Sequence, residues 1–271
     1  LYSLLIRVNP DNPQDPTDFV CDLCTSFEES ADKKTYTFHI RDNAYWHGKE
    51  TGTAGHDGGK VDAHDVVATY KKIIFPPEGV GSARKAFYGM VNKVYAVGNT
   101  KVVFELDFPA AGFLPAMATP FNFVYSEEDL KNHGMQWHQQ NINGSGPFIF
   151  VEHQSGSHVM GRRNPNYHHA GKPYLDGYKA ISAPKMAVRV QAIRGDRAAI
   201  EFRGFPPKVR DDLKAALGDK INVQESDWNC VMGFTPNQRK EEFQDVRVRQ
   251  ALQLGLDRWN GSKYLSQIAI V

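Results

Sequence analysis

Apolar residues in this chain fall in short runs that alternate with polar ones. Tyr36, Phe38 and Ile40 alternate with Thr35, Thr37, His39 and Arg41, a period of two that puts three apolar side chains on one face of a strand. Val94 to Val97 and then Val102, Phe104, Leu106 and Phe108 flank Gly98-Asn99, a turn-forming pair, and predict a hairpin. Such faces need cover, and a helical period supplies it. Asp62 is placed to cap a helix, with Asp65 as a weaker form of the capping-box acid. Val66, Val67, Tyr70, Ile73 and Ile74 recur at helical spacing until Pro76-Pro77 stops them. Strand pairs mixed with isolated helices predict an α/β chain, neither all-α nor all-β.

Elsewhere the pattern is punctuated. Residues 1 to about 45 read as strands and turns. Glu50 to Lys60 is a glycine-rich insert that suggests an exposed loop. It is not a phosphate cradle, because Ala54 stands where the first glycine should be and Val61 where a magnesium-binding hydroxyl should be. Pro109 to Pro120 allows a short helix at best, and Glu127 to Trp137 predicts another. Asn141 to Pro147 is the densest turn cluster and a candidate crossing between domains. Phe148 to Val151 pairs with His158 to Met160, Asp211 to Leu217 is a helix stopped by Gly218, and Ile221, Val223 and Cys230 to Phe234 are strand candidates. Asp245 caps a last helix with Val248, Ala251, Leu252 and Leu256 on one stripe.

Charge and chemistry exclude several classes. The 271 residues allow one large domain or two ordinary ones. Thirty-two basic against thirty-one acidic residues give a net charge of +1, without the basic footprint of a nucleic-acid binder. No apolar stretch approaches the ~18 residues of a spanning helix. The opening Leu1-Tyr2-Ser3-Leu4-Leu5-Ile6 has no basic and apolar leader pattern, so a signal peptide is expected to be absent or already removed. Three cysteines permit at most one bridge. Cys21-Asp-Leu-Cys24 has redox or metal-clip spacing, yet only Cys230 remains to complete a zinc site, so the thiols are expected to pack as small hydrophobes. Among ten histidines no metal spacing occurs: His133 and His138 fall on different helix faces, and His168 and His169 are expected to point apart. Ser145 lies in Asn-Gly-Ser-Gly-Pro, which is not a nucleophile elbow. Asn143-Gly-Ser145 and Asn260-Gly-Ser262 match the glycosylation tripeptide, a match frequent by chance. No catalytic residue, cofactor or metal site is expected, which favours a binder over an enzyme.

The segments are familiar in combination. Leu1 to Arg7, Cys21-Asp-Leu-Cys-Thr-Ser-Phe27, Tyr36 to Asp42 with Trp46-His47, and Val61-Asp-Ala-His-Asp-Val-Val67 follow one order. Asn143-Gly-Ser-Gly-Pro-Phe148, Arg163-Asn-Pro-Asn-Tyr167, Lys172-Pro-Tyr-Leu-Asp176 and Asp245 to Leu252 with Leu256-Asp-Arg258 continue it. Together they resemble the family 5 extracellular solute-binding proteins, which serve peptide and nickel ABC importers. The family usually has Pro and Ala at the places of Cys21 and Cys24, which supports a packing role for that pair. The usual Trp-x-Asp-Gly is altered to Trp46-His-Gly-Lys49, Thr235 stands for a common Asn, and Glu242-Phe243 for Pro-Phe. The resemblance covers about half of a family member, so the chain reads as a fragment or as part of something longer.

The resemblance implies a partial class II fold like that of periplasmic binding proteins. Residues 1–142 resemble a small extra domain of the first lobe, 143–235 the continuing first lobe, and 236–271 the truncated start of the second. It implies the substrate-binding component of an ABC importer at the periplasmic or extracellular face of a bacterial membrane. The partners would be a peptide or other small solute and the permease subunits, with no nucleic acid and no membrane contact except through the permease or a lipid anchor outside this chain. Asn143, Gly144, Ser145 and Gly146 are expected beside the ligand cleft, where glycine lets backbone approach closely. Trp228 and Cys230, on the strand leading into the second lobe, are further candidates, while Trp46 is expected in the core of the small domain. The alternatives are a metal-dependent hydrolase, motivated by the histidines with Cys21 and Cys24, and an interaction fragment with no ligand of its own.

Overall fold

The computed structural model describes residues 1–48, 59–225, 233–257 and 259–263. Most of the glycine-rich insert, with Trp228 and Cys230, therefore lies outside the described residues, whereas Lys60 bridges to Tyr45. The chain divides into two compact units, Leu1–Ser182 and Ala183–Val271.

Among the described residues the first unit holds three antiparallel sheets. Strands β1 (Ile6–Val8) and β2 (Phe19–Cys21) form a pair, and β3 (Cys24–Glu29), β4 (Thr35–Ile40), β5 (Val91–Val97) and β6 (Lys101–Leu106) form a sheet in the order β3-β4-β6-β5. The period of two in β4 is realised, with Tyr36, Phe38 and Ile40 buried and their neighbours half-buried. The predicted hairpin is β5 and β6, turned at Gly98 with φ +61°. Over this sheet lies α1 (Ala63–Ile74). Its start is a full capping box: Asp62 accepts from the His64 and Asp65 amides, and the Asp65 carboxylate accepts from the Asp62 amide at 2.9 Å.

Packing converges on Phe104. Its ring meets Phe38 across the sheet at 5.8 Å, Tyr70 of α1 at 5.0 Å and Phe113 of α2 (Phe113–Met117) at 5.4 Å, all edge to face. Trp46 belongs to the same core, as expected. Polar groups on α1 fix the path of the chain beyond α2. Thr69 Oγ1 accepts from the Tyr125 amide at 2.8 Å and Asp65 Oδ1 accepts from the Glu127 amide at 2.8 Å, which sets the start of α3 (Glu127–His133). That helix stops before Trp137 because Gly134 turns to φ +90°. The third sheet is β7 (Phe148–Gln154), β8 (His158–Arg163) and β9 (Gly177–Ile181), of which β9 is too short to announce itself by period.

The cysteine expectation is corrected. Cys21 and Cys24 form a disulfide with their Cα atoms 4.9 Å apart. The amides of Asp22, Leu23 and Cys24 all donate to the carbonyls of Leu4 and Leu5, which folds the intervening pair into a tight turn and brings the two sulfurs together.

The second unit contains α4 (Met186–Arg194), α5 (Pro207–Leu217) and α6 (Val246–Leu254). Helix α4 was not legible in the sequence because it has no side-chain cap and buries no residue. Asp245 caps α6 through the Arg247 amide at 2.8 Å, as expected, yet this helix too buries nothing. Ile221 and Val223 are corrected from strand to irregular chain: the apolar pair finds no neighbouring strand among the described residues.

Two outcomes follow from this architecture. Denatured without reductant, the chain should yield one alkylatable thiol, and three after reduction; three before reduction would exclude the bridge. Burial, reinforced by the charge of Asp62, pushes the Asp65 carboxyl up from 3.8 to about 7 against the bonds it accepts from Glu127, Asp62 and Trp46. The folded state thus keeps a proton that the unfolded chain has lost, so stability should fall as pH rises from about 4 to about 7 and then level off. In urea titrations at about pH 5 and about pH 8, Asp65→Ala should be weaker than wild type at both and should lack that part of the slope.

Candidate functional site

The expected ligand segment lies inside the first unit. Asn143, Gly144, Ser145 and Gly146 are all buried, Asn143 and Ser145 almost completely. Asn143 donates through Nδ2 to the carboxylate of Asp129 at 2.7 Å, tying the segment to α3. The Gly144 carbonyl accepts from the His47 amide at 2.8 Å. The Gly146 carbonyl accepts from His47 Nε2 and from Asn164 Nδ2, each at 3.0 Å, which fixes the His47 tautomer as protonated on Nε2. On the other side the Gly146 amide donates to the Leu1 carbonyl at 2.9 Å, and Ser3 Oγ donates to the Ser145 carbonyl at 3.1 Å.

Glycine is required here for a close approach, and the backbone approached is the chain's own. A Cβ on Gly144 would lie 2.1 Å from the Leu1 carbonyl oxygen, and one on Gly146 would lie 2.7 Å from it. Residues 1–3 and 143–146 therefore form a seam between stretches that are distant in sequence. Ser145 Oγ is buried in this seam without a hydrogen-bond partner among the described residues. Beside the seam is a recess of about 30 Å³ lined by Tyr45, Trp46, His47, Ile149, Asn164 and Asn166. That volume suits one water molecule. It does not hold a peptide.

A second polar centre was missed in the sequence. His168 and His169 do not point apart: both Nε2 atoms reach Asp22 Oδ1 at 3.1 Å, joined by the Tyr167 hydroxyl at 3.3 Å. Asp22 Oδ2 accepts from the Leu4 amide at 2.8 Å, and the Asp22 carbonyl accepts from Arg41 Nε at 2.7 Å. Burial alone would raise this carboxyl, but the bonds from His168, His169 and Leu4 outweigh it and hold Asp22 well below the usual carboxylate range. Burial lowers His168, leaving a neutral ring that donates through Nε2. Adjacent residues can converge because their chain is irregular here, held by Asn43 Nδ2 bonding the His168 carbonyl at 3.1 Å, so strand alternation does not apply. The only signal in the sequence was the His-His pair itself. His133 and His138 do not share a helix, because α3 ends at His133; both rings pack on Trp137, at 5.0 and 4.9 Å, and His138 also stacks on Tyr125.

Gly144→Ala should lower the unfolding free energy by about 2 kcal/mol or more, because backbone must shift to admit the methyl group. Gly89→Ala, where nothing stands within 4 Å, should change it by less than about 0.5 kcal/mol. Equal effects in thermal or urea unfolding would contradict the seam.

Relatives place this architecture. Di/tripeptide-binding protein 2 of Pseudomonas aeruginosa is 26% identical over 257 residues, covering 90% of this chain and 46% of its own length. The periplasmic oligopeptide-binding protein OppA of Salmonella typhimurium is 24% identical, covering 85% and 43%. Among solved structures, the periplasmic binding protein DppA of Helicobacter pylori, in complex with the peptide STSA, superimposes with a TM-score of 0.74 at 20% identity over 98% of this chain and 52% of its own. MoaA from A. tumefacien R10, in complex with mannopinic acid, gives 0.71 at 25% identity over 99% and 51%. The chain spans about half the length of these proteins. No helix among the described residues is long and apolar enough to cross a membrane. Since the model of the bacterial extracellular solute-binding proteins, family 5 Middle, matches residues 18–260, the chain belongs to that family, as a partial chain with the fold of a periplasmic binding protein.

Proposed function

We propose that the protein of which this chain is part is the substrate-binding component of an ABC importer, working at the periplasmic or extracellular face and capturing peptides between two lobes. The observation that carries this reading is the family match over residues 18–260, joined by relatives named for binding di-, tri- and oligopeptides. Capture by enclosure needs no reactive group. Main-chain hydrogen bonds grip a peptide independently of its sequence, and wet pockets tolerate varied side chains. A micromolar dissociation constant corresponds to about −8 kcal/mol, within reach of a few such bonds and buried side chains. Closure is then a two-state device in which ligand favours the closed form through contacts absent from the open one.

In this reading residues 1–142 are the extra domain, 143–235 the continuing first lobe and 236–271 the start of the second. Supporting it, Val248, Ala251 and Leu252 share one face of α6 and are exposed among the described residues, as suits a face that is covered in a longer protein. Asn143 to Gly146 would lie beside the cleft, as main chain held firmly by Asp129, His47, Asn164 and Leu1. A small solute such as mannopinic acid is the second reading, favoured by the structural likeness to a binding protein in complex with it. The hydrolase alternative gains nothing from relatives that are named as binding proteins.

Thermal-shift and calorimetric titration of the full-length protein with di-, tri- and tetrapeptides should show micromolar binding. Saturation at about 100 times the dissociation constant should add about 2.7 kcal/mol of stability. Silence with every peptide, together with a shift by mannopinic acid, would replace the peptide reading by the second. Silence with both would defeat the capture reading.

A further inference from the structure

The Asp22 centre has the donor set and spacing of a metal site. We propose that Asp22 Oδ1, His168 Nε2 and His169 Nε2 bind one divalent transition-metal ion of the zinc class, which locks the turn between β2 and β3 to the chain following β8. These three atoms lie within 4.8 Å of one another, and each imidazole nitrogen is 3.1 Å from the carboxylate oxygen. Ligands about 2.0–2.1 Å from a tetrahedral zinc are separated by about 3.3 Å, so both histidine–carboxylate spacings already match and the ion replaces the two Nε2 protons as the rings draw toward each other. The Tyr167 hydroxyl also bonds the same oxygen, at 3.3 Å, and leaves the fourth position to a water.

The surroundings hold the ligands in place. Asp22 sits inside the Cys21–Cys24 loop, and its second oxygen is fixed by the Leu4 amide. Arg41 donates to the main-chain carbonyls of Asp22 and Cys24 and leaves the carboxylate to the histidines, but it places one positive charge beside the site. His168 Nδ1 is buried without a partner. Binding through Nε2 puts the proton on Nδ1, and an outer partner of that kind is ordinarily worth ten- to a hundredfold in affinity. The site is therefore weaker than one whose ligands all have an outer partner. Two imidazoles with one carboxylate select zinc, nickel, cobalt or copper over magnesium. The inference is independent of what the cleft binds.

The test uses metal-free full-length protein titrated with Zn²⁺ by calorimetry, with metal content per chain read by native mass spectrometry. Wild type should take up one ion that Mg²⁺ does not displace. His169→Gln, at the partly exposed ligand, should weaken binding at least tenfold, while His133→Gln, remote from the site, should not. Co²⁺ added to wild type should give the visible absorption of four-coordinate cobalt, a readout that does not depend on any variant folding. Absence of stoichiometric zinc, purely six-coordinate cobalt, or equal affinity in wild type and folded His169→Gln would each overturn the proposal. Loss of binding in His133→Gln instead would assign the zinc to surface histidines and overturn it as well.

Discussion

The first unit depends on covering one face of the sheet β3-β4-β6-β5. Phe104 stands at the centre of that face, with Phe38 beside it, Tyr70 of α1 above and Phe113 of α2 at its edge. Each such side chain contributes about 1.5–3 kcal/mol by burial. Their edge-to-face contacts specify one arrangement of helix on sheet. Once α1 is seated, its two buried polar groups, Asp65 and Thr69, decide where residues 125–127 run. From there α3 positions Asp129, and Asp129 holds Asn143. The seam at residues 143–146 thus descends from the aromatic core through a chain of satisfied polar groups.

That chain gives the glycine-rich segment a meaning different from the one its composition suggests. A run such as Asn-Gly-Ser-Gly-Pro reads as a turn or as a place where ligand comes close. The structure shows glycine used to admit Leu1, with the carbonyls of Gly144 and Gly146 accepting from His47 and Asn164. So firmly bonded a segment fixes the main chain of the first unit on both sides of the seam. The second unit is the reverse case. Its helices α4 and α6 bury no residue, and α5 buries only Pro207 and Leu213, among the described residues.

Asp22 shows a different economy. One buried carboxylate gathers two imidazoles, a phenol and a backbone amide from two distant stretches of chain. A buried charge persists only when it is paired or hydrogen-bonded, and here that requirement welds the start of the chain to the residues after β8. Around a single oxygen, three donors are more than a hydrogen-bond network needs, and the same geometry suits a metal ion.

Elements whose physics is local were legible in the sequence. The period of two in β4, the hairpin about Gly98, the Asp62 cap of α1 and the Asp245 cap of α6 each rest on residues a few positions apart, so pattern suffices. The ordered series of short motifs identified the family for the same reason. Tertiary structure alone decided that Cys21 and Cys24 join, that His168 and His169 turn to one carboxylate, that Gly144 faces Leu1, and that Ile221 and Val223 pair with nothing described. Each of those outcomes depends on groups up to 147 positions apart, as His169 and Asp22 are, and no local period encodes which distant backbone will supply the missing partner.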